Sequence, residues 1–393
     1  VALGNIASTY HGQRQPTGYS EVDRVLGGGF VPGSVTLVSG EPGVGKSTLL
    51  LALTERLHAP ALYASGEESA EQVSGRLKRL GLSGAKLSFT NETNVAALGA
   101  TVRELKPALV VVDSLQAVSM PDEEAALGSP TQVRAALSEL VGLAKSTGVP
   151  VVVVGHVTKA GVAAGPKAIE HLVDVVLTLE GAEHQPLRFL RASKNRFGAT
   201  DEVGVFEMGE RGLVEVANPS ALFLSERHQG AGSCITALLE GSRSLLCEVQ
   251  ALVTHSRAGY PKRATTGFDG SRLEVLLAVL GERAGVKLNY SDVYINLAGG
   301  FRSREPALDL AVCVAIASAA TKRPLPKDLV VFGEVGLGGE VRPVVAAERR
   351  LQEAARLGFV QALVPPLTNT ERLPSDLALV PVKTVAEAVQ WIR

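Results

Sequence analysis

Gly40-Glu41-Pro42-Gly43-Val44-Gly45-Lys46-Ser47, followed by Thr48, matches GxxxxGK[ST]. The apolar run Ser34–Ser39 precedes it and reads as a buried strand. Lys46–Leu57 follows and reads as a helix. Strand, glycine-rich loop and helix in that order are the context a phosphate-binding loop needs. The glycines let backbone N–H groups turn inward around phosphate oxygens with no Cβ in the way. The helix start adds its positive dipole end. In this reading Gly40 to Thr48 hold ATP, Lys46 reaches the β- and γ-phosphates, and the Ser47 hydroxyl ligates Mg²⁺. The bland alternative is a glycine-rich turn that matches by chance.

Working outward, Ala61–Ser65, Ala108–Asp113 and Val149–Gly155 are further continuous apolar runs. Ala70–Leu80, Val95–Leu105 and Thr131–Thr147 read as helices between them. Strand–helix alternation predicts a parallel sheet covered on both faces. Leu109-Val110-Val111-Val112-Asp113 ends in a carboxylate, which beside a phosphate loop holds the Mg²⁺ water shell. Otherwise it caps a helix. Ser65-Gly66-Glu67-Glu68-Ser69 ends another strand. Glu67 is the candidate general base that orients attacking water, and Glu68 the acidic helix-start residue. From Val173 the pattern changes. Val173–Leu179, Leu187–Lys194 and Gly204–Met208 read as an antiparallel extension of the sheet.

The 393 residues are 46% hydrophobic and only 4% aromatic, so two or three cores must be built from Ala, Val and Leu. Lys+Arg (39) and Asp+Glu (40) nearly cancel, which excludes a polybasic binder but not a motor with cations confined to a channel. Cys234, Cys247 and Cys313 are scattered, with neither disulfide nor zinc spacing, and suit a reducing compartment. Ala307 to Ala320, the longest apolar stretch, is shorter than a bilayer span and contains Asp309, so no membrane role is expected. The start, Val1-Ala2-Leu3-Gly4, has no signal-peptide features and lacks Met, an indication that residues are missing in front of it.

Asn218-Pro219-Ser220 reads as a domain boundary, giving domains 1–218 and 219–393. The second is α+β. Cys234–Leu239 and Leu245–Val253 form a hairpin, and helices follow at Arg272–Glu282, Pro306–Ala320, Ala346–Leu357 and Val385–Ile392. Val293–Leu297 and Val330–Phe332 are strands between them.

Gly27-Gly28-Gly29, GEPGVGKST, YASGEES, VVVDSLQ, GHVTKAG and above all Lys194-Asn195-Arg196-Phe197-Gly198 resemble the RadA/Sms family of bacterial DNA-repair ATPases. The likeness covers nearly the whole chain. It implies an α/β RecA-like P-loop ATPase core followed by an α+β Lon-peptidase-like domain. The family carries a four-cysteine zinc motif ahead of the ATPase. This sequence has none, so it is either a truncated piece or a natural departure. The resemblance makes His156 a γ-phosphate sensor, with a capping or packing histidine as the alternative. It makes Lys194 and Arg196 fingers that reach into a neighbouring subunit's nucleotide site. There a guanidinium would stabilise the negative charge of phosphoryl transfer. Ser119–Pro130 and Thr158–Lys167, with Lys159 and Lys167, become channel loops that touch DNA phosphates. Otherwise they are surface loops.

The second half resembles the Lon peptidase domain through Gly299-Gly300, Glu305-Pro306-Ala307, Asp309 and Gly333 to Val344. Lon cleaves with a Ser–Lys dyad. The likeness puts Ala307 at the serine position and Glu348 near the lysine position. Ser303 and Ser318 are close in sequence but off the motif, so the domain is expected to be a peptidase-dead scaffold that helps assemble the ring. Arg257, Lys262, Arg263 and Arg272 form either a DNA-contacting rim or solvated surface. The leading expectation is an ATP-driven homohexameric DnaB-like helicase or translocase on single-stranded and branched DNA. It would promote branch migration in recombination and repair. RecA recombinase is an expected partner by family, and the expected location is cytoplasmic, at the nucleoid during repair. The rivals are an ATP-dependent Lon-like protease and a non-motor RecA- or KaiC-like ATPase.

Overall fold

Strands that are apolar along their whole length belong inside a sheet covered on both faces. The computed structural model describes residues 14–120, 125–155, 169–181, 187–224, 227, 230–256, 260–300, 302–367 and 373–392. The chain divides into two units, Val1–Ala217 and Asn218–Arg393. The first carries, in chain order, α1 (Ser20–Leu26), β1 (Val35–Ser39), α2 (Lys46–Arg56), β2 (Ala61–Ser65), α3 (Ala70–Leu80), β3 (Leu87–Thr90), α4 (Val95–Leu105), β4 (Leu109–Asp113), α5 (Pro130–Thr147), β5 (Val151–Val154), β6 (Val175–Glu180), β7 (Leu187–Asn195), β8 (Val203–Gly209) and β9 (Gly212–Glu215).

These strands form one sheet in the order β3-β2-β4-β5-β1-β6-β7-β8-β9. Every residue of β1, β2, β4 and β5 is buried. On β1, Val38 packs on the α2 side, while Val35 and Leu37 pack with α4 and α5. The helix limits follow local chemistry. Ser69 and Gln72 make a capping box for α3, Asn94 caps α4, and Ser129 caps α5 with Pro130 in its first turn. The architecture is that of a RecA-like P-loop ATPase core. One expectation is corrected. The first strand of the extension, β6, runs parallel to β1, and antiparallel pairing begins only at β7.

The second unit carries α6 (Pro219–Leu224), β10 (Ser233–Glu240), β11 (Arg243–His255), β12 (Arg263–Thr266), α7 (Gly270–Ala284), β13 (Ser291–Leu297), α8 (Asp309–Thr321), β14 (Leu329–Val331), β15 (Glu334–Val335), β16 (Val341–Arg342), α9 (Ala347–Arg356), β17 (Gln361–Val364), β18 (Ala378–Pro381) and α10 (Val385–Ile392). Its main sheet runs β12-β13-β11-β10-β14-β17-β18. The long helix expected over Pro306–Ala320 begins as a separate 3₁₀ turn at Pro306–Leu308, and α8 starts at Asp309. The second unit is α+β, as expected. Among the described residues no helix is long and apolar enough to cross a membrane.

Two ion pairs organise this unit. Arg272 on α7 grips Asp309 at the start of α8 with both Nε (3.1 Å) and Nη2, and it also donates to the Val335 carbonyl. Arg350 on α9 is fully buried, pairs with Glu305 and donates to the carbonyls of Ala237 and Val345. The other oxygen of Glu305 accepts the Leu239 N–H at 2.9 Å. Arg350 thus ties α9 to β10 both directly, at the Ala237 carbonyl, and through the Glu305 carboxylate, which Leu239 also engages. Arg350→Ala should cost about 3 kcal/mol or more, the size typical of breaking a buried pair. Urea unfolding checks this, and a loss below about 1 kcal/mol would show the pair to be dispensable.

Candidate nucleotide-binding site

The loop Gly40–Gly45 leaves the carboxyl end of β1 and enters α2, whose N-cap is Gly45. Gly40 has φ +149° and a Cβ there would meet the Leu179 carbonyl oxygen at 2.4 Å. Gly45 has φ +112° and its Cβ would meet Met208 Cε at 2.7 Å. Both positions therefore need glycine for conformation, and Gly40 also for space, since its neighbour is backbone whereas the Met208 tip can shift. Lys46 is 5% exposed, and its ammonium donates to the Gly40 carbonyl at 2.9 Å and the Glu41 carbonyl at 3.0 Å. Burial holds its pKa below the ordinary lysine value, opposed by the carboxylates of Asp113 and Glu67. Lys46, Asp113 and Glu67 thus share one electrostatic environment. Ser47 and Thr48 are half-buried in the first turn of α2.

β2 and β4 are neighbours, in a register that puts Ser65 opposite Asp113. Asp113 is buried at the end of β4, and the Tyr63 hydroxyl donates to its Oδ2 at 2.5 Å. Ser114 donates to Glu67 Oε1. Glu68 is half-buried and paired with Arg76 at 2.5 Å. The two acidic neighbours therefore have different partners, Glu67 bonding the residue that follows Asp113 and Glu68 being held by Arg76 of α3. Ser47, Asp113 and Glu67 offer hydroxyl and carboxylate oxygens, the donor chemistry of a hard divalent cation such as Mg²⁺.

Lys194 and Arg196 lie at the other end of the same strands. Val175 pairs with both Thr36 and Asn195, at the amino end of β1. Lys194 Nζ donates to the carbonyls of Glu170 (2.8 Å), Val173 (2.7 Å) and His171 (3.4 Å). Arg196, half exposed, pairs with Asp174 at 3.1 Å. Asp174 accepts the Val35 N–H at 3.0 Å through its other oxygen, which anchors the pair to the first residue of β1. The turn itself is rigidly built. Asn195 Oδ1 accepts the Phe197 N–H, and Arg14 donates to the carbonyls of Leu26 and Phe197.

His156, Lys159, Lys167 and Arg257 lie outside the described residues, as do 121–124 of the Ser119–Pro130 segment and 158–167. In the second unit Lys262 is exposed, with its ammonium 5.9 Å from the Tyr294 ring. Arg263 is half-buried and donates to the Ser291 carbonyl. It lines a cavity of about 280 Å³ with Glu274, Leu277 and Leu288. Arg272, read with its neighbours as either a DNA-contacting rim or solvated surface, instead spends its guanidinium on Asp309. Ala307 is buried, and Glu348 accepts from Gln352 at 3.0 Å. Ser318 is fully buried, accepting the Gly232 N–H and donating to the Arg323 carbonyl, so it has no exposed nucleophile to offer. Ser303 accepts the Glu305 N–H.

Two residues of the nucleotide site had no role in the sequence reading. Tyr63 sits within the YASGEES run, where the strand's wholly apolar appearance hid a hydroxyl. Arg188 carried a better signal. Strand alternation in Leu187-Arg188-Phe189-Leu190-Arg191-Ala192 puts Arg188 on the buried side with Leu190 and Ala192.

A family model described as an AAA domain matches residues 14–162, and one described as subunit ChlI of Mg-chelatase matches residues 266–368. DNA repair protein RadA of Streptococcus pneumoniae is 46% identical over 383 residues, covering 96% of this chain and 91% of that protein. DNA repair protein RadA of Pseudomonas aeruginosa is 47% identical over 379 residues, covering 96% and 84%. A crystal structure of the RadB recombinase aligns with 51% of this chain and 99% of its own, at 22% identity and TM-score 0.41.

The Tyr63 hydrogen bond fixes the rotation of the Asp113 carboxylate. Tyr63→Phe removes the donor and keeps the packing of a ring that is fully buried. The expected result is a Mg²⁺ requirement for tight nucleotide binding raised by roughly tenfold, the worth of one hydrogen bond to a charged group. Metal-free nucleotide binding should be unchanged. Fluorescent ADP titrations with varied Mg²⁺ check this, and an unaltered Mg²⁺ midpoint would show that the phenol does not set the carboxylate.

Proposed function

Because this chain belongs to the RadA family of DNA repair proteins, we propose that it is an ATP-driven DNA motor. It acts as a ring of identical subunits that translocates on single-stranded DNA and moves branches during recombination and repair. The observation that carries this reading is the placement of Lys194 and Arg196. They sit at the amino end of β1, whereas the chain's own phosphate loop leaves the carboxyl end. A five-residue strand is roughly 16 Å long. That separation supports a finger role toward a neighbour's nucleotide, and hence hydrolysis completed only between subunits.

Within one site the roles divide by chemistry. Lys46 leaves the loop carbonyls to meet the β- and γ-phosphates. Glu67, aligned by Ser114, orients water and takes its proton. Ser47 and Asp113 hold the metal, which when bound neutralises developing charge on the phosphates. Arg196 leaves Asp174 and Lys194 leaves its carbonyls to stabilise the same charge across the interface. Lys262 and Arg263, with Lys159, Lys167 and Arg257, contribute phosphate contacts that do not depend on base sequence. His156 senses the γ-phosphate. The buried Ala307 and the engaged Ser318 support a second unit that does not cleave peptides.

ATP turnover measured with and without single-stranded DNA tests the proposal, followed by branch-migration assays on three-stranded substrates. Stimulation by DNA, movement of the branch, and no cleavage of an unfolded polypeptide are expected. A rate indifferent to DNA, or ATP-dependent proteolysis, would contradict it.

A further inference from the structure

Arg188 is a charged residue where the sheet interior is apolar. It lies on β7 opposite Phe206 and is 9% exposed, on the face shared with Leu190, Ala192 and Phe206. A guanidinium always keeps its charge, so burying it requires compensation by hydrogen bonds. Its Nε donates to the Val44 carbonyl at 3.2 Å, and its Nη1 donates to the Leu187 carbonyl at 2.9 Å. Val44 is the residue of the phosphate loop immediately before Gly45, and its side chain is anchored in the same apolar cluster.

The peptide between Val44 and Gly45 is planar and trans, so its C=O and N–H point in opposite directions. Pinning the carbonyl to Arg188 therefore aims the Gly45 N–H away from β7. Gly45, at φ +112°, is the kind of residue that turns such a peptide over easily, because it has no Cβ to resist rotation. If that peptide flips, a carbonyl oxygen takes the place of an N–H in the phosphate cradle. Repulsion then replaces attraction.

We propose that Arg188 is a positioning residue for nucleotide binding: it holds the Val44–Gly45 peptide in the orientation that presents the Gly45 N–H to the phosphates. It does not touch the nucleotide. The inference rests on the reading of Gly40–Ser47 as a nucleotide loop. Its effect falls on the phosphates bound within the loop, so it discriminates ADP from AMP, whose single phosphate stops short of the cradle.

The test is competition binding of ADP and AMP against a fluorescent ATP analogue, on the whole chain, for Arg188→Met, Arg188→Lys and Lys46→Ala. Arg188→Met is expected to weaken ADP roughly tenfold or more, the scale of a lost hydrogen bond from a charged donor, and AMP less than about twofold. Arg188→Lys, which keeps a charged donor, should fall between Met and the native residue. Folding is followed by circular dichroism. If Arg188→Met does not fold, the ADP-to-AMP contrast in Arg188→Lys decides by the same rule. Native ADP affinity in a folded Arg188 variant, or equal losses for ADP and AMP, would overturn the proposal. Lys46→Ala separates the two layers. If it leaves ADP and ATP binding intact, the loop reading itself fails. If it weakens them while Arg188→Met does not, only the positioning role fails.

Discussion

The polarity of β1 governs the arrangement of this molecule. One buried strand carries the phosphate loop at its carboxyl end and, through the Val35 N–H bonded to Asp174, an anchor for Arg196 at its amino end. A parallel strand cannot bend its ends together while both its neighbours hold it in register, and β5 and β6 do so. The cations of the Lys194–Gly198 turn therefore face away from the loop that they are proposed to serve. Their present partners are backbone carbonyls and one carboxylate. Each can exchange these for a phosphate at modest cost, because neither is fully buried.

Around the loop, by contrast, most polar groups are buried and committed, Glu67 being the exposed exception. Lys46 closes on the Gly40 and Glu41 carbonyls, Tyr63 on Asp113, Ser114 on Glu67, and Arg188 on Val44. Such groups are expensive to leave unpaired in an apolar surrounding, so each pairing fixes an orientation. The Tyr63–Asp113 and Arg188–Val44 contacts thereby fix the orientation of the end of β4 and of the glycine-rich loop.

Much of this was legible in the sequence. β1, β2 and β4 declare themselves as unbroken apolar runs, and α3 and α4 match their expected limits because Ser69 and Asn94 cap them and Gly81 ends α3. Local sequence could not tell that Glu67 bonds Ser114 while Glu68 pairs with Arg76. Other features were hidden for physical reasons. β3 is half-exposed and lies at the sheet edge, so Leu87-Ser88-Phe89-Thr90 lacks a long apolar signal. Pro219 reads as a break yet opens α6, since proline fits a first helical turn. The parallel run of β6 depends on its pairing with β1, which no local pattern encodes. Arg272 looked like surface charge because its partner, Asp309, lies on another helix.

If Lys194 and Arg196 act on a neighbour's nucleotide, one chain holds only half a catalytic site. Mixing two inactive variants measures this directly. Lys46→Ala lacks the phosphate lysine and Arg196→Ala lacks the finger, so each alone should hydrolyse ATP at a small fraction of the native rate. A finger of this kind contributes on the order of 10³–10⁵ in rate. After subunit exchange, some interfaces join an intact loop to an intact Arg196, and part of the native ATPase activity should return. An Arg196→Ala protein that hydrolyses ATP at the native rate, or a strictly monomeric native protein with full activity, would contradict the shared site.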